Sequence, residues 1–229
     1  STNLKPPQSI GDFLFSDKIG HGGFSVVFKG FHLATHQTVA IKMIQFAFQK
    51  ISSNANLKHE ISRSSILCRF FEFLEDDQHY YLVMEHFDGG KRFNYKLAGP
   101  LPEWKPRHYF CQLASAIDYL HSELNIAHRD LKVENVMIDR NDNIRLIDFG
   151  LGNMFRGENA VLQTACGSPA YAPPEMYIEN DTTSADIWSL GIVLYAMACG
   201  RLPFGDMNIQ KLVMKIVTEE PIYPDKLPP

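Results

Sequence analysis

The 229-residue sequence predicts an α+β chain of two unequal lobes, a small antiparallel β-sheet lobe followed by a larger, mainly helical one. Three observations predict it. β-branched and aromatic runs separated by glycine-rich or polar turns fill the first third. Asp88-Gly89-Gly90 then breaks that pattern, and from Pro106 onward apolar residues recur at helical spacing. Residues 1–12 are expected to form a polar, proline-containing tail. Residues 13–87 would be the small lobe and 88–229 the large one, joined by a linker near Glu85 to Gly90.

The elements follow in order. Phe13 to Ile19, Val26 to His32 and Val39 to Ile44 read as strands, divided by Gly20-His21-Gly22-Gly23 and by Ala34-Thr35-His36-Gln37. A polar helix is expected from about Asn54 to Ser65, with Ser53 as its N-cap. Strands near Phe70 to Leu74 and Tyr80 to Met84 complete the sheet. Pro106 to His121 carries Phe110, Leu113, Ala114, Ile117 and Leu120 on one helical face, with Pro106 tolerable only in the first turn. Val136-Met137-Ile138 and Ile144-Arg145-Leu146-Ile147 flank the turn-rich Asp139-Arg140-Asn141-Asp142-Asn143, a hairpin pattern. Ile187 to Cys199 is the longest apolar stretch. It is too short to cross a bilayer and is expected to be a buried core helix.

Composition narrows the function classes. With 45 % hydrophobic and 21 % charged residues, the chain has the profile of an ordinary globular protein. A net charge of −4 leaves no basic footprint for nucleic acid or an anionic membrane. Cys68, Cys111, Cys166 and Cys199 include no Cys-x-x-Cys pair, so neither a zinc site nor a disulfide framework is expected. An intracellular, cytoplasmic setting fits, with nuclear access left open, and no cationic-then-apolar leader opens the chain.

The chemistry concentrates in His128-Arg129-Asp130-Leu131-Lys132-Val133-Glu134-Asn135 and, thirteen residues after Asn135, Asp148-Phe149-Gly150. A hairpin returns its two ends to one place, so Asn135 and Asp148 are expected side by side. Two oxygen donors there suit a Mg²⁺ ion that keeps water and substrate phosphate as its remaining ligands. Asp130 lies just upstream as a proton acceptor, and Lys132 as a neutraliser of phosphate charge. That is a phosphoryl-transfer site. A glycine-rich loop, Ile19-Gly20-His21-Gly22-Gly23-Phe24-Ser25, sits between the first two strands, where its amides can approach phosphates closely or simply make a hairpin turn.

Together these segments resemble the catalytic and metal-binding loops of the eukaryotic protein kinases, serine/threonine type, and the resemblance runs from about Phe13 to Pro221. It implies ATP and Mg²⁺ as cofactors and a protein carrying Ser or Thr acceptors as substrate. The loop from Ile19 to Ser25 would cover the phosphates, with Ser25 in place of a third glycine. Lys42 would reach the α- and β-phosphates. Glu60, the one acid between Lys42 and Glu72, would hold Lys42, unless it is a surface helix residue. Met84 would guard the back of the pocket, while Glu85 and Phe87 meet the adenine edge with main-chain groups. Val27, Ala40 and Met137 would sandwich the ring. Lys91 stands where relatives commonly carry a ribose-facing acid, and Ser64 where they pack an apolar residue.

Thr164 to Glu175 is similar to the activation segment of kinases related to the AMP-activated and calmodulin-dependent groups. Thr164 aligns with their activating phosphosite, implying an upstream kinase, and Arg129 would pair with a phosphate there. Glu134 resembles the residue that faces a substrate arginine, so basic residues near the acceptor are expected. Asp186 would hydrogen-bond the catalytic-loop backbone. Relatives carry further helices that supply an arginine for Glu175, and with no candidate for it here either Glu175 is expected to be solvated or the sequence to be a piece of a longer protein. Two alternatives to a protein kinase remain: a non-catalytic kinase-like binding module and a small-molecule kinase.

Overall fold

In the computed structural model the described residues are 5–21, 25–45, 64–87, 91–93, 101–147, 169–177 and 184–225. They fall into two compact units, one ending at Phe87 and the other beginning at Lys91.

The first unit is a six-stranded antiparallel sheet: β1 (Ser9–Ile10), β2 (Phe13–His21), β3 (Ser25–His32), β4 (Thr38–Gln45), β5 (Phe70–Glu75) and β6 (His79–Glu85), in spatial order β1-β2-β3-β4-β6-β5. Side chains alternate between the two faces of a strand. On one face Phe13, Val26, Phe28, Val39, Ile41, Met43, Tyr81 and Val83 form a single buried cluster. Phe15 packs edge-on against Phe28 and Tyr81, with centroids 5.6 and 5.9 Å apart. Each such side chain removed from water contributes roughly 1.5–3 kcal/mol, so this face carries the stability of the unit. The other face is defined by the register. Val27 opposes Lys42, while Ala40 and Lys42 oppose Met84 and Leu82.

One expectation needs correction here, and another falls mostly outside the described residues. Ser9 and Ile10 are not tail: they pair with Leu14 and Phe13 as an edge strand. Gly11, at φ 51°, and Asp12 supply the two-residue turn that closes this hairpin. The helix expected from Asn54 to Ser65 lies outside the described residues except for its last two positions, which are not helical. There Ser64 Oγ accepts from the amides of Ile66 and Leu67 at 3.3 and 3.4 Å and leads into buried Leu67.

The second unit contains α1 (Trp104–Asp118), a π-helical turn (Tyr119–Glu123), a 3₁₀ turn (Val133–Asn135), α2 (Ser184–Cys199) and α3 (Ile209–Thr218). It also holds a three-stranded sheet of β7 (Lys91–Arg92), β8 (Val136–Ile138) and β9 (Ile144–Leu146). β7 had no signal of its own in the sequence, being two residues long and polar. Pro106 sits in the first turn of α1, where a missing N–H costs nothing. The buried face of α1 runs through Pro106, Tyr109, Leu113, Ala116 and Ile117, continuing to Leu120. Phe110 and Ala114, expected there, are only half-buried, because Tyr109 and Ala116 keep the three-and-four spacing from Leu113. α2 is the central helix, but it is not buried all round: Ile187 is 58 % exposed. α3 is capped by Asn208, whose side chain accepts from the amides of Gln210 and Lys211. Among the described residues no helix is long and apolar enough to cross a membrane.

Gly30, on β3 between β2 and β4, has no room for a side chain. A Cβ there would lie 2.7 Å from the Leu14 carbonyl oxygen and 2.6 Å from Ile41 Cδ1. The carbonyl belongs to the sheet ladder and has little room to give. Gly30→Ala is expected to destabilise this unit by about 1–3 kcal/mol in urea unfolding, the scale of overpacking in a close-packed core.

Candidate active site

The site begins with a hairpin. β8 and β9 pair in the register Val136 to Leu146 and Ile138 to Ile144. Asp139 organises the turn, its Oδ1 accepting from the amides of Asn141 and Asn143 at 2.8 and 3.0 Å. Asp142, at φ 62°, presents its carboxylate to α1, where Tyr109 Oη donates to Oδ1 at 2.5 Å and Lys105 Nζ at 3.2 Å. Gln112 Oε1 accepts the amide of Ile144 at 3.0 Å. Helix and hairpin are thus locked by side chains. At the open end the amide of Ile147 donates to the Asn135 carbonyl at 2.8 Å, so the described chain ends alongside Asn135.

Around Asn135 the predicted chemical groups converge. Lys132 Nζ donates to both oxygens of Asp130, at 2.9 and 2.6 Å. Asn135 Nδ2 donates to the Asp130 carbonyl at 2.9 Å and lies 3.4 Å from its Oδ2. The Asn135 side chain is buried, and with its nitrogen committed to Asp130 its remaining polar atom is an oxygen. A side-chain oxygen is the donor type a hard cation takes, and its expected co-ligand, Asp148, lies outside the described residues. A 3₁₀ turn over Val133–Asn135, closed by Asn135 N donating to Lys132 O at 3.0 Å, brings Asn135 back toward Asp130.

The loop is held from below by Asp186 on α2. Its carboxylate, 1 % exposed, accepts from the His128 amide at 2.6 Å and the Arg129 amide at 2.8 Å. His121 Nε2, on the π-helical turn, reaches the same Oδ2 at 2.7 Å. Arg129 sits at φ 62°, a left-handed conformation costing a non-glycine residue about 1–2 kcal/mol. Such a conformation persists only where neighbours over-determine it, and the two amide bonds to Asp186 flank it. Asp130, immediately after, inherits its direction from this constraint, and its own amide donates to His128 Nδ1 at 3.2 Å.

The first unit presents the remaining predicted groups on its second face. Val27, Ala40, Lys42 and Met84 line up there across β3, β4 and β6, with Lys42 half-buried between apolar neighbours. Glu85 continues the strand, its amide donating to Arg69 O at 2.9 Å, and Phe87 follows half-buried. Ile19, Gly20 and His21 end β2 opposite β3, with Gly20 across from Val27 and His21 across from Val26; Ser25 begins β3. Met137 is on β8 of the second unit, half-buried. Gly22, Gly23, Phe24, Glu60, Asp148 and Thr164 lie outside the described residues. Lys91 is on β7 opposite Ile138. Glu175 is half-buried. Sequence reasoning missed His121: nothing in its spacing distinguishes it from a surface histidine, and only the π turn brings it to Asp186.

A loop that gathers Asp130, Lys132 and Asn135 at the mouth of a hairpin is the arrangement expected of the protein kinase class. The protein kinase domain family matches residues 13–226, and the chain belongs to it. It is 38 % identical to CBL-interacting serine/threonine-protein kinase 15 of Arabidopsis thaliana, over 96 % of this chain and 53 % of that protein. It is 39 % identical to SNF1-related protein kinase catalytic subunit alpha KIN12 of the same plant, over 94 % and 45 %. A probable serine/threonine-protein kinase KIN1 homolog of Encephalitozoon cuniculi (strain GB-M1) is 38 % identical, over 91 % and 39 %. The chain thus spans about half the length, or less, of these relatives.

The tie between α1 and the hairpin is testable through pH. The hydrogen bond from Tyr109, reinforced by Lys105, holds the Asp142 carboxyl below its ordinary value, while burial pushes the Tyr109 phenol upward. A depressed folded-state value means this stabilisation is present above the ordinary carboxyl range near 4 and disappears as pH falls through the folded value. Tyr109→Phe is therefore expected to lower stability by about 1 kcal/mol at pH 7. In chemical denaturation the gap between variant and wild type should close as the buffer is taken from pH 5 toward pH 2.

Proposed function

We propose that this chain is an ATP- and Mg²⁺-dependent serine/threonine protein kinase domain, transferring the γ-phosphoryl group of ATP to Ser or Thr hydroxyls of protein substrates. The observation that carries the proposal is the cluster in which Lys132 and Asn135 both close on Asp130 within hydrogen-bond range. Asp130 orients the acceptor hydroxyl and takes its proton. Lys132, already at the carboxylate, offsets charge developing on the transferred group. Lys42 would bind the α- and β-phosphates, with Glu60 as the acidic partner the sequence offers. On the first unit the loop Ile19 to Ser25 would cover the phosphates, and Val27, Ala40, Met84, Glu85 and Phe87 would receive the adenine; the family resemblance gives Met137 the same role. Asn135 and Asp148 would hold Mg²⁺, which supplies charge neutralisation at the phosphates. Most of the rate enhancement then comes from positioning rather than covalent chemistry.

Several further assignments belong to the same proposal. The names of the relatives support protein substrates, and Glu134 favours basic residues near the acceptor. Phosphorylation of Thr164 by an upstream kinase, with Arg129 as the phosphate's partner, would order the segment ahead of Glu175. An intracellular setting accords with Cys111 and Cys199 being free thiols.

Transfer of labelled phosphate from Mg-ATP to a serine/threonine peptide library tests the proposal. Wild type is expected to label peptides, and Asp130→Asn to lower kcat by about 10²–10⁴-fold with nucleotide affinity little changed. Binding of nucleotide without labelling by either protein would make the chain a kinase-like binding module instead.

A further inference from the structure

We infer that Gln112 is a positioning residue for the metal end of the hairpin: its side-chain carbonyl stands in for a fourth strand at the open edge of β9 and so sets the direction of the strand that leads to Asp148. The inference rests, for its consequence at the metal, on the kinase function proposed above.

The need for such a group follows from the ladder. Asp139 N donates to Asn143 O and Ile147 N to Asn135 O, both at 2.8 Å, on either side of the Met137–Arg145 pair. Bonded and unbonded pairs alternate in an antiparallel ladder, so the Ile138–Ile144 pair is unbonded and the Ile144 amide faces away from β8. β9 is the last strand of the order β7-β8-β9 among the described residues, and Ile144 is 1 % exposed. Neither a neighbouring strand nor bulk water therefore receives that amide, and a buried main-chain N–H without an acceptor is costly. Gln112 Oε1 supplies the acceptor at 3.0 Å. An N–H can only donate, so the oxygen end of the Gln112 amide is the end facing Ile144. The nitrogen end lies 2.8 Å from His108 Nε2, one turn earlier on α1, whose lone pair can accept it.

Lys105, Tyr109 and Gln112 follow one another on α1 at spacings of four and three, and so share a face. The first two hold Asp142, in the turn, and the third holds Ile144, two residues on. One anchor fixes where a short hairpin sits; a second, on the strand itself, fixes which way it runs. Strands of three residues cannot supply that direction alone. Without the Gln112 oxygen the hairpin keeps its hold at Asp142 but can pivot about it. The displacement grows toward the open end, where Ile147 meets Asn135. Asn135 and Asp148, next in the chain after Ile147, are the residues proposed to hold Mg²⁺. Gln112 touches no reacting atom, and its influence reaches the metal only through the backbone of β9.

The test uses the full chain, with wild type, Gln112→Leu (acceptor lost) and Gln112→Glu (acceptor kept). Two readouts come from NMR: the Mg²⁺ midpoint for shifting the Asn135 side-chain amide signals with ADP bound, and hydrogen exchange at the Ile144 amide. The third is the Mg²⁺ dependence of phosphoryl transfer from ATP to a serine peptide. Gln112→Leu is expected to raise both Mg²⁺ midpoints about fivefold and to leave kcat at saturating Mg²⁺ within about twofold. It should also speed exchange at Ile144 about tenfold, while amides along α1 change less than about twofold. Gln112→Glu should return all three readouts to within about twofold of wild type. If Gln112→Leu does not fold, Gln112→Met takes its place. Wild-type midpoints in the acceptor-free variant overturn the inference. Equal shifts in the two variants do so as well, as does faster exchange throughout α1, which would mean a general loss of stability. A wild type whose Asn135 signals ignore Mg²⁺ overturns it together with the metal assignment. A wild type that responds to Mg²⁺ but transfers no phosphate counts against the kinase proposal alone, and the NMR readouts still decide the role of Gln112.

Discussion

Everything chemical in the second unit hangs from one buried carboxylate. Asp186 sits inside the central helix, shielded from water, and satisfies its charge with two amides of the loop above it. Burying an ionised group is unfavourable unless its partners are in place, so the arrangement is close to all-or-none. That property turns a packing requirement of α2 into a geometric requirement on the loop. The strained Arg129 and the direction of Asp130 follow from it, and the Lys132 and Asn135 contacts are built on Asp130 in turn.

The hairpin plays the complementary part. Its strands are only three residues each, too short to be stable alone. Tyr109, Lys105 and Gln112 of α1 grip its turn and first strand residue, so the helix supplies the rigidity the hairpin lacks. Loop and hairpin are therefore anchored on different helices, α2 and α1, and meet at Asn135.

Much of this was legible in the sequence, and the reasons are specific. Strands β2 to β6 announced themselves because β-branched and aromatic runs alternate with glycine and polar turns. The hairpin was readable from Asp139 to Asn143, whose side chains satisfy their own turn. Asp130, Lys132 and Asn135 were found because closely spaced residues on one short loop must meet. What escaped notice depended on long-range geometry or very short elements. β1 and β7 are two residues each, below the length at which alternation exists. The burial of α1 was displaced by one position at Phe110 and Ala114, because which apolar stripe faces inward is settled by its neighbours as well as by periodicity. His121 lies 65 residues from Asp186, and no local pattern links them.

The alternation of β4 separates two jobs within eight residues. Val39, Ile41 and Met43 serve cohesion on one side of the sheet, while Ala40 and Lys42 stand on the other. Selection can therefore retune solubility or heat tolerance through the odd positions while the even ones, proposed above to face the nucleotide, stay unchanged. The same economy is brittle to insertion. A single added residue in β4 would turn the ammonium into the oily interior and the isoleucine out to water, losing both jobs at one stroke.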